Sequence, residues 1–154
     1  HLFVTTGGSQ YRLPLAAGCT HAITNYGIND AIVGRTAAQI KADLDAIWAT
    51  LSGMGMQVWQ ATITPRSTST DSFATTVNQT PLNAAVLTEV NDYIRTLPSP
   101  LAGVIEASDA ASSARNSGLW KVTGAAQYAT SDGLHPSTDM HVAIAGLVPT
   151  DWTA

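Results

Sequence analysis

The 154-residue chain has a single cysteine, Cys19, so no internal disulfide can form and no thiolate metal cluster can be assembled. Charged residues make up only 12% of it, and the net charge of -4 comes without any basic run, which argues against a nucleic-acid surface. Long apolar runs are missing too. None approaches the ~20 residues needed to cross a bilayer, so no membrane partner is expected. No signal peptide is visible at His1, and the chain begins inside what reads as a strand. What remains is the composition of one folded domain, 45% hydrophobic and long enough to bury a core. The low charge and abundant Ser and Thr suit an exported protein, extracellular or periplasmic.

Strand and helix signals alternate along the chain. Leu2 to Thr6 reads as a strand stopped by Gly7-Gly8, followed by a short helical connection from Gln10 to Ala17. Cys19 to Asn25 is a second strand. Thr36 opens the clearest helix: Thr36 and Gln39 have capping-box spacing, Ile40, Leu44, Ile47, Trp48 and Leu51 recur at helical intervals, and Gly53 stands at the exit. Met56 to Thr64 is a third strand, and the Ser/Thr-rich stretch from Arg66 to Asn78 is a surface loop. Thr80 as N-cap and Pro81 at the first helical position predict another helix, burying Leu82, Val86, Val90, Ile94 and Leu97. Ala102 to Ala107 is a fourth strand, and Ser137 caps a last helix carrying Met140, Ile144, Leu147 and Val148. This order predicts an α/β fold, a three-layer α/β/α sandwich around a mostly parallel sheet, with ligands at the carboxyl ends of the strands. Gly8, Asn29, the Pro65 loop and the loop before His135 should then share one edge.

Two stretches on that edge carry chemistry. In Ser131-Asp132-Gly133-Leu134-His135-Pro136, a carboxylate and an imidazole stand three residues apart on a turn, where the Asp can hold one ring nitrogen while the other faces a substrate. In Asn25-Tyr26-Gly27-Ile28-Asn29-Asp30, an apolar run ends in a glycine and two polar side chains. A general base and an amide donor for an oxyanion are the parts of a hydrolase, and the missing part is a nucleophile. A metal site built from Asp132, His135, Asp139 and His141 is disfavoured, because Asp139 and His141 lie two positions apart on a helix and point in different directions.

These stretches resemble two sequence blocks of the SGNH hydrolases, the GDSL-like esterases and lipases. Tyr26-Gly27-Ile28-Asn29-Asp30 resembles the G-x-N-D block and Asp132-Gly133-Leu134-His135-Pro136 the D-x-x-H block, in family order. The resemblance implies a serine esterase acting on small acyl esters, carbohydrate acetyl esters first among them, and needing no cofactor. His135 would be the general base, Asp132 its orienting acid and Asn29 a donor to the oxyanion. Gly7-Gly8-Ser9 resembles either of two further blocks. As the first it makes Ser9 the nucleophile; as the second it makes Gly8 an oxyanion donor. The spacing to Asn29 favours the second. The chain would then be the carboxyl-terminal portion of the domain, and the serine would come from upstream residues or a second polypeptide carrying the first strand. The alternative to an enzyme is a catalytically silent binding or structural module of a larger assembly.

Overall fold

A computed structural model describes residues 16–150. The strand expected at Leu2 to Thr6 lies outside the described residues, as does the helical connection from Gln10 except for its last two positions. In chain order the elements are β1 (His21–Thr24), α1 (Ile28–Ile32), α2 (Ala37–Gly53), β2 (Gln57–Ala61), β3 (Ser67–Ser69), β4 (Gln79–Pro81), α3 (Ala84–Arg95), β5 (Leu101–Ile105), α4 (Ala107–Ala111) and α5 (Thr138–Ala145). The fold is α/β. Strands β1, β2 and β5 form a parallel sheet in the order β1-β2-β5, pairing His21 with Gln57 and Val58 with Leu101. Among the described residues no helix is long and apolar enough to cross a membrane.

Helix α2 starts where the sequence places it. The Gln39 N–H donates to the Thr36 hydroxyl at 3.3 Å and the Thr36 N–H donates to the Gln39 carboxamide at 3.0 Å, so two of the helix's orphan donors are satisfied reciprocally. Its buried stripe, Ile40, Leu44, Ile47, Trp48 and Leu51, packs with Leu87, Val90 and Ile94 of α3 and with Val58 of β2. Because successive strand residues face opposite ways, Val58 and Gln60 meet α2, while Trp59 and Ala61 turn to a second cluster with Ile105, Ile144 and Val148. Apolar clusters thus cover the central strand on both faces.

Gln60 is buried in the first of those clusters. Its Oε1 accepts the Thr24 hydroxyl at 2.5 Å and the Trp48 indole N–H at 3.0 Å, and its Nε2 donates to the Ala61 carbonyl at 2.8 Å. Just beyond β2, the buried Asn91 of α3 accepts the Ile63 N–H at 2.7 Å and donates to the Ile63 carbonyl at 2.9 Å. The chain leaving the sheet is thereby held by a side chain of α3 in the way that a neighbouring strand would hold it.

Two sequence expectations are corrected here. Arg66 to Asn78 is not simply a surface loop: it contains β3, which pairs antiparallel with β4, and it buries Ser67 and Phe73. Nor do Thr80 and Pro81 open a helix. Both belong to β4, because the Gln79 carboxamide is engaged by the backbone of Trp120 and the Leu82 N–H donates to the Arg66 carbonyl at 2.7 Å. Helix α3 begins three residues later, after Asn83 in a left-handed conformation with φ of 56°. Its inward stripe is Leu87, Val90, Asn91 and Ile94, and Leu97 is exposed. A short helix not expected from the sequence, α4, follows β5 directly.

Candidate active site

A parallel sheet places all its strand exits on one edge. β1 leads through Gly27 to Asn29, and β2 leads through Pro65 to Ser67. Gly27 has φ of 118°, a conformation that residues with a side chain rarely adopt, and it lies against the Ile63 side chain, so glycine lets the chain turn tightly beside the β2 exit before α1 begins. Asn29 is the second residue of α1 and is exposed. Asp30 beside it forms an ion pair with Arg35 at 3.8 Å.

The Asp132 turn is joined to the same edge. The Ser67 N–H donates to the Gly133 carbonyl at 3.0 Å, and the Trp120 indole N–H donates to that same oxygen at 3.0 Å. From α1 the Ala31 carbonyl accepts the Asn83 amide at 3.0 Å, Asn83 accepts the Arg66 guanidinium, and Arg66 adjoins Ser67. A continuous run of bonds therefore connects the element carrying Asn29 with the turn carrying His135.

Within the turn, Asp132 Oδ1 accepts the backbone N–H groups of Leu134 and His135, each at 2.8 Å, and Oδ2 lies 2.7 Å from His135 Nδ1. The first pair of bonds fixes the carboxylate; the third fixes the ring. Thr130, fully buried, donates its hydroxyl proton to the His135 carbonyl at 2.7 Å and accepts the Gly133 N–H at 2.9 Å. Ser137 closes the segment: its N–H donates to Ala129, its hydroxyl donates to Tyr128 at 2.6 Å, and as N-cap of α5 it accepts the Met140 N–H at 3.2 Å. His135 and Asp132 stay open to solvent, with side chains 75% and 50% exposed.

The Asp132 carboxyl is held well below the usual carboxylate range, chiefly by its bond to the His135 side chain and then by the His135 backbone N–H; burial opposes this, and the Leu134 N–H adds a lesser lowering. A carboxylate whose folded pKa is depressed stabilises the fold above its unfolded pKa of about 3.9 and loses that contribution as pH falls through the folded value. Wild type is therefore expected to exceed Asp132→Asn in unfolding free energy by a constant margin above about pH 5, the margin closing below about pH 4. With half of the side chain in water the margin should stay within about 1 kcal/mol. Urea titrations across that range check it; a margin unchanged down to acid would show that the turn does not hold the ionised form.

Of the residues named from sequence, Asp132 and His135 are in direct contact and Asn29 stands on the same sheet edge. Ser9 and Gly8 lie outside the described residues. Among the described residues no group of three or more His, Cys, Asp or Glu is placed to hold a metal. Sequence reading missed Thr130, Ser67, Gln79 and Trp120, which support the turn. Thr130 could have been found from its place two residues before Asp132, where Ser and Thr commonly bond local backbone. The other three carry no local signal. Comparison with protein-family models gives no match, and none is found among curated proteins.

Proposed function

We propose that the protein is a serine ester hydrolase of the SGNH type, acting on small acyl esters, with a carbohydrate acetyl ester as the leading substrate and no metal or organic cofactor. The observation that carries this reading is the 2.7 Å contact of Asp132 Oδ2 with His135 Nδ1 on an exposed turn, which leaves Nε2 to receive a proton. As a serine oxygen attacks the ester carbonyl, His135 takes the hydroxyl proton, and Asp132 fixes the ring tautomer and stabilises the imidazolium. The tetrahedral oxyanion accepts from the Asn29 side chain and, where Gly7-Gly8-Ser9 is the second block and the serine comes from elsewhere, from the Gly8 N–H. The departing alcohol carries away the proton from His135, and water then repeats the sequence on the acyl-enzyme to release the acid.

The serine is Ser9 or one borne by a Gly-Asp-Ser-like turn upstream or on a second polypeptide. Labelling the protein with a fluorophosphonate and mapping the modified peptide distinguishes these sources. A labelled serine whose capture is slowed by excess p-nitrophenyl acetate supports the hydrolase reading, and its position names the nucleophile. Absence of both labelling and hydrolysis in a preparation containing the whole domain would leave a silent binding module.

A further inference from the structure

We propose that Gln79, buried and outside the reacting groups, is a positioning residue that sets the Asp132–His135 turn against the sheet edge. The proposal rests on the hydrolase reading for its catalytic consequence and on geometry alone for the positioning itself. The turn is grasped from the protein interior at one atom, the Gly133 carbonyl oxygen, by the Ser67 N–H and the Trp120 indole N–H, both at 3.0 Å. Ser67 and Trp120 are distant in sequence from each other and from Gly133, and a single side chain joins them. Gln79 Oε1 accepts the Ser67 hydroxyl at 3.1 Å and the Trp120 N–H at 2.8 Å, while Gln79 Nε2 donates to the Trp120 carbonyl at 3.0 Å. All three residues are nearly or fully buried, Gln79 at 7%, Ser67 at 2% and Trp120 at 0% exposure.

A carboxamide is the one uncharged side chain that presents a donor and an acceptor side by side, as pairing with both groups of one backbone residue requires. Because the pairing is buried, an apolar replacement leaves the Trp120 N–H and carbonyl without partners, and the backbone must shift to find them. The shift is transmitted through the indole N–H to Gly133, and hence to the residues on either side of it. General-base catalysis depends steeply on placement, a misplacement of about 1 Å costing on the order of 10²-fold.

The test compares wild type with Gln79→Met, which preserves volume and removes these three bonds together with the longer one from Nε2 to the Thr75 carbonyl at 3.5 Å, and with Ser67→Ala, which removes only the hydroxyl bond and is the milder change should the first not fold. Hydrogen exchange by NMR reads the turn directly through the Gly133, Leu134 and His135 amides and the Trp120 indole N–H. The Trp48 indole N–H, bonded to Gln60 on the far side of β2, is the internal control. Exchange in Gln79→Met should accelerate by about 10-fold or more at Trp120 and the turn amides with Trp48 unchanged, and less in Ser67→Ala. In parallel, kcat on p-nitrophenyl acetate should fall by about 10- to 10²-fold with KM changed far less. Uniform acceleration at both indoles would reduce Gln79 to a general stabilising residue and overturn the proposal. So would unchanged turn amides. Selective acceleration in a protein whose wild type lacks esterase activity would support the positioning and remove the hydrolase reading.

Discussion

His135→Ala is expected to abolish hydrolysis of a short activated ester, a loss of about 10⁴-fold or more, because a serine hydroxyl at neutral pH attacks poorly unless a base takes its proton. Asn29→Ala should behave differently. In the proposed mechanism its carboxamide meets an oxyanion that exists only near the transition state, so kcat should fall by roughly 10²- to 10³-fold with little change in KM. Asn29 is on the surface in the first turn of α1, so the substitution leaves the core packing untouched. Asp30→Ala is the control: the Arg35 partner makes Asp30 part of the local structure, so stability should suffer more than turnover. Initial rates over a range of ester concentrations separate these effects. In a preparation containing the whole domain, equal, unsaturable rates in wild type and all three variants would mean that the fold is not used as an enzyme.

Gly133→Ala should be the most damaging single-methyl change in the turn. Gly133 has φ of 78°, and a Cβ would lie 1.8 Å from the Ser67 carbonyl oxygen and 2.9 Å from Phe73 Cζ. The left-handed conformation alone costs an alanine about 1 kcal/mol, and a collision with backbone cannot be relieved by a rotamer. A destabilisation of about 3 kcal/mol or more is expected by urea denaturation. The alternative to that cost is a displaced turn, in which the Ser67 and Trp120 bonds to Gly133 are broken. Either result accompanies loss of activity; a variant that keeps both full stability and the Trp120 indole protection would show that the turn is looser than its contacts indicate.

Much of the sheet and its largest helix could be read from sequence because the signals are local. Thr36 and Gln39 announce the start of α2 in the same four residues that form its cap, and Ser137 does the same for α5. β1 and β2 fall inside the apolar runs that suggested them, with ends trimmed by one to three residues, while β5 starts one residue before its expected run and ends two residues short of it, Ala107 opening α4 instead. Thr80-Pro81 misled for the opposite reason. The dipeptide is a good local helix start, but Gln79 beside it bonds to Trp120, 41 residues away, and a partner at that distance leaves no trace in a window of sequence. Asn91 is similar: a polar residue in an apolar stripe looks like a defect until Ile63, 28 residues earlier, supplies both of its partners. At the site, the Asp132–His135 contact follows from spacing on a turn, whereas the supports under Gly133 come from three separate places in the chain.

The carboxamide of Gln60 has a consequence for distance as well as for packing. β1 carries the Asn29 end of the site and β2 carries the Ser67 end, to which the His135 turn is moored. Sliding one strand past the other by a residue would move the two ends about 3.3 Å apart or together and turn every side chain of the slipped strand to the opposite face. Most apolar strands would tolerate that poorly but not uniquely. Here a slip of either strand would also part the Thr24 hydroxyl from the Gln60 and Trp59 oxygens beside it, and a slip of β2 would turn Gln60 away from the Trp48 indole N–H. Gln60 thus acts as an index mark between β1 and β2, allowing one alignment and so one spacing between the two halves of the site.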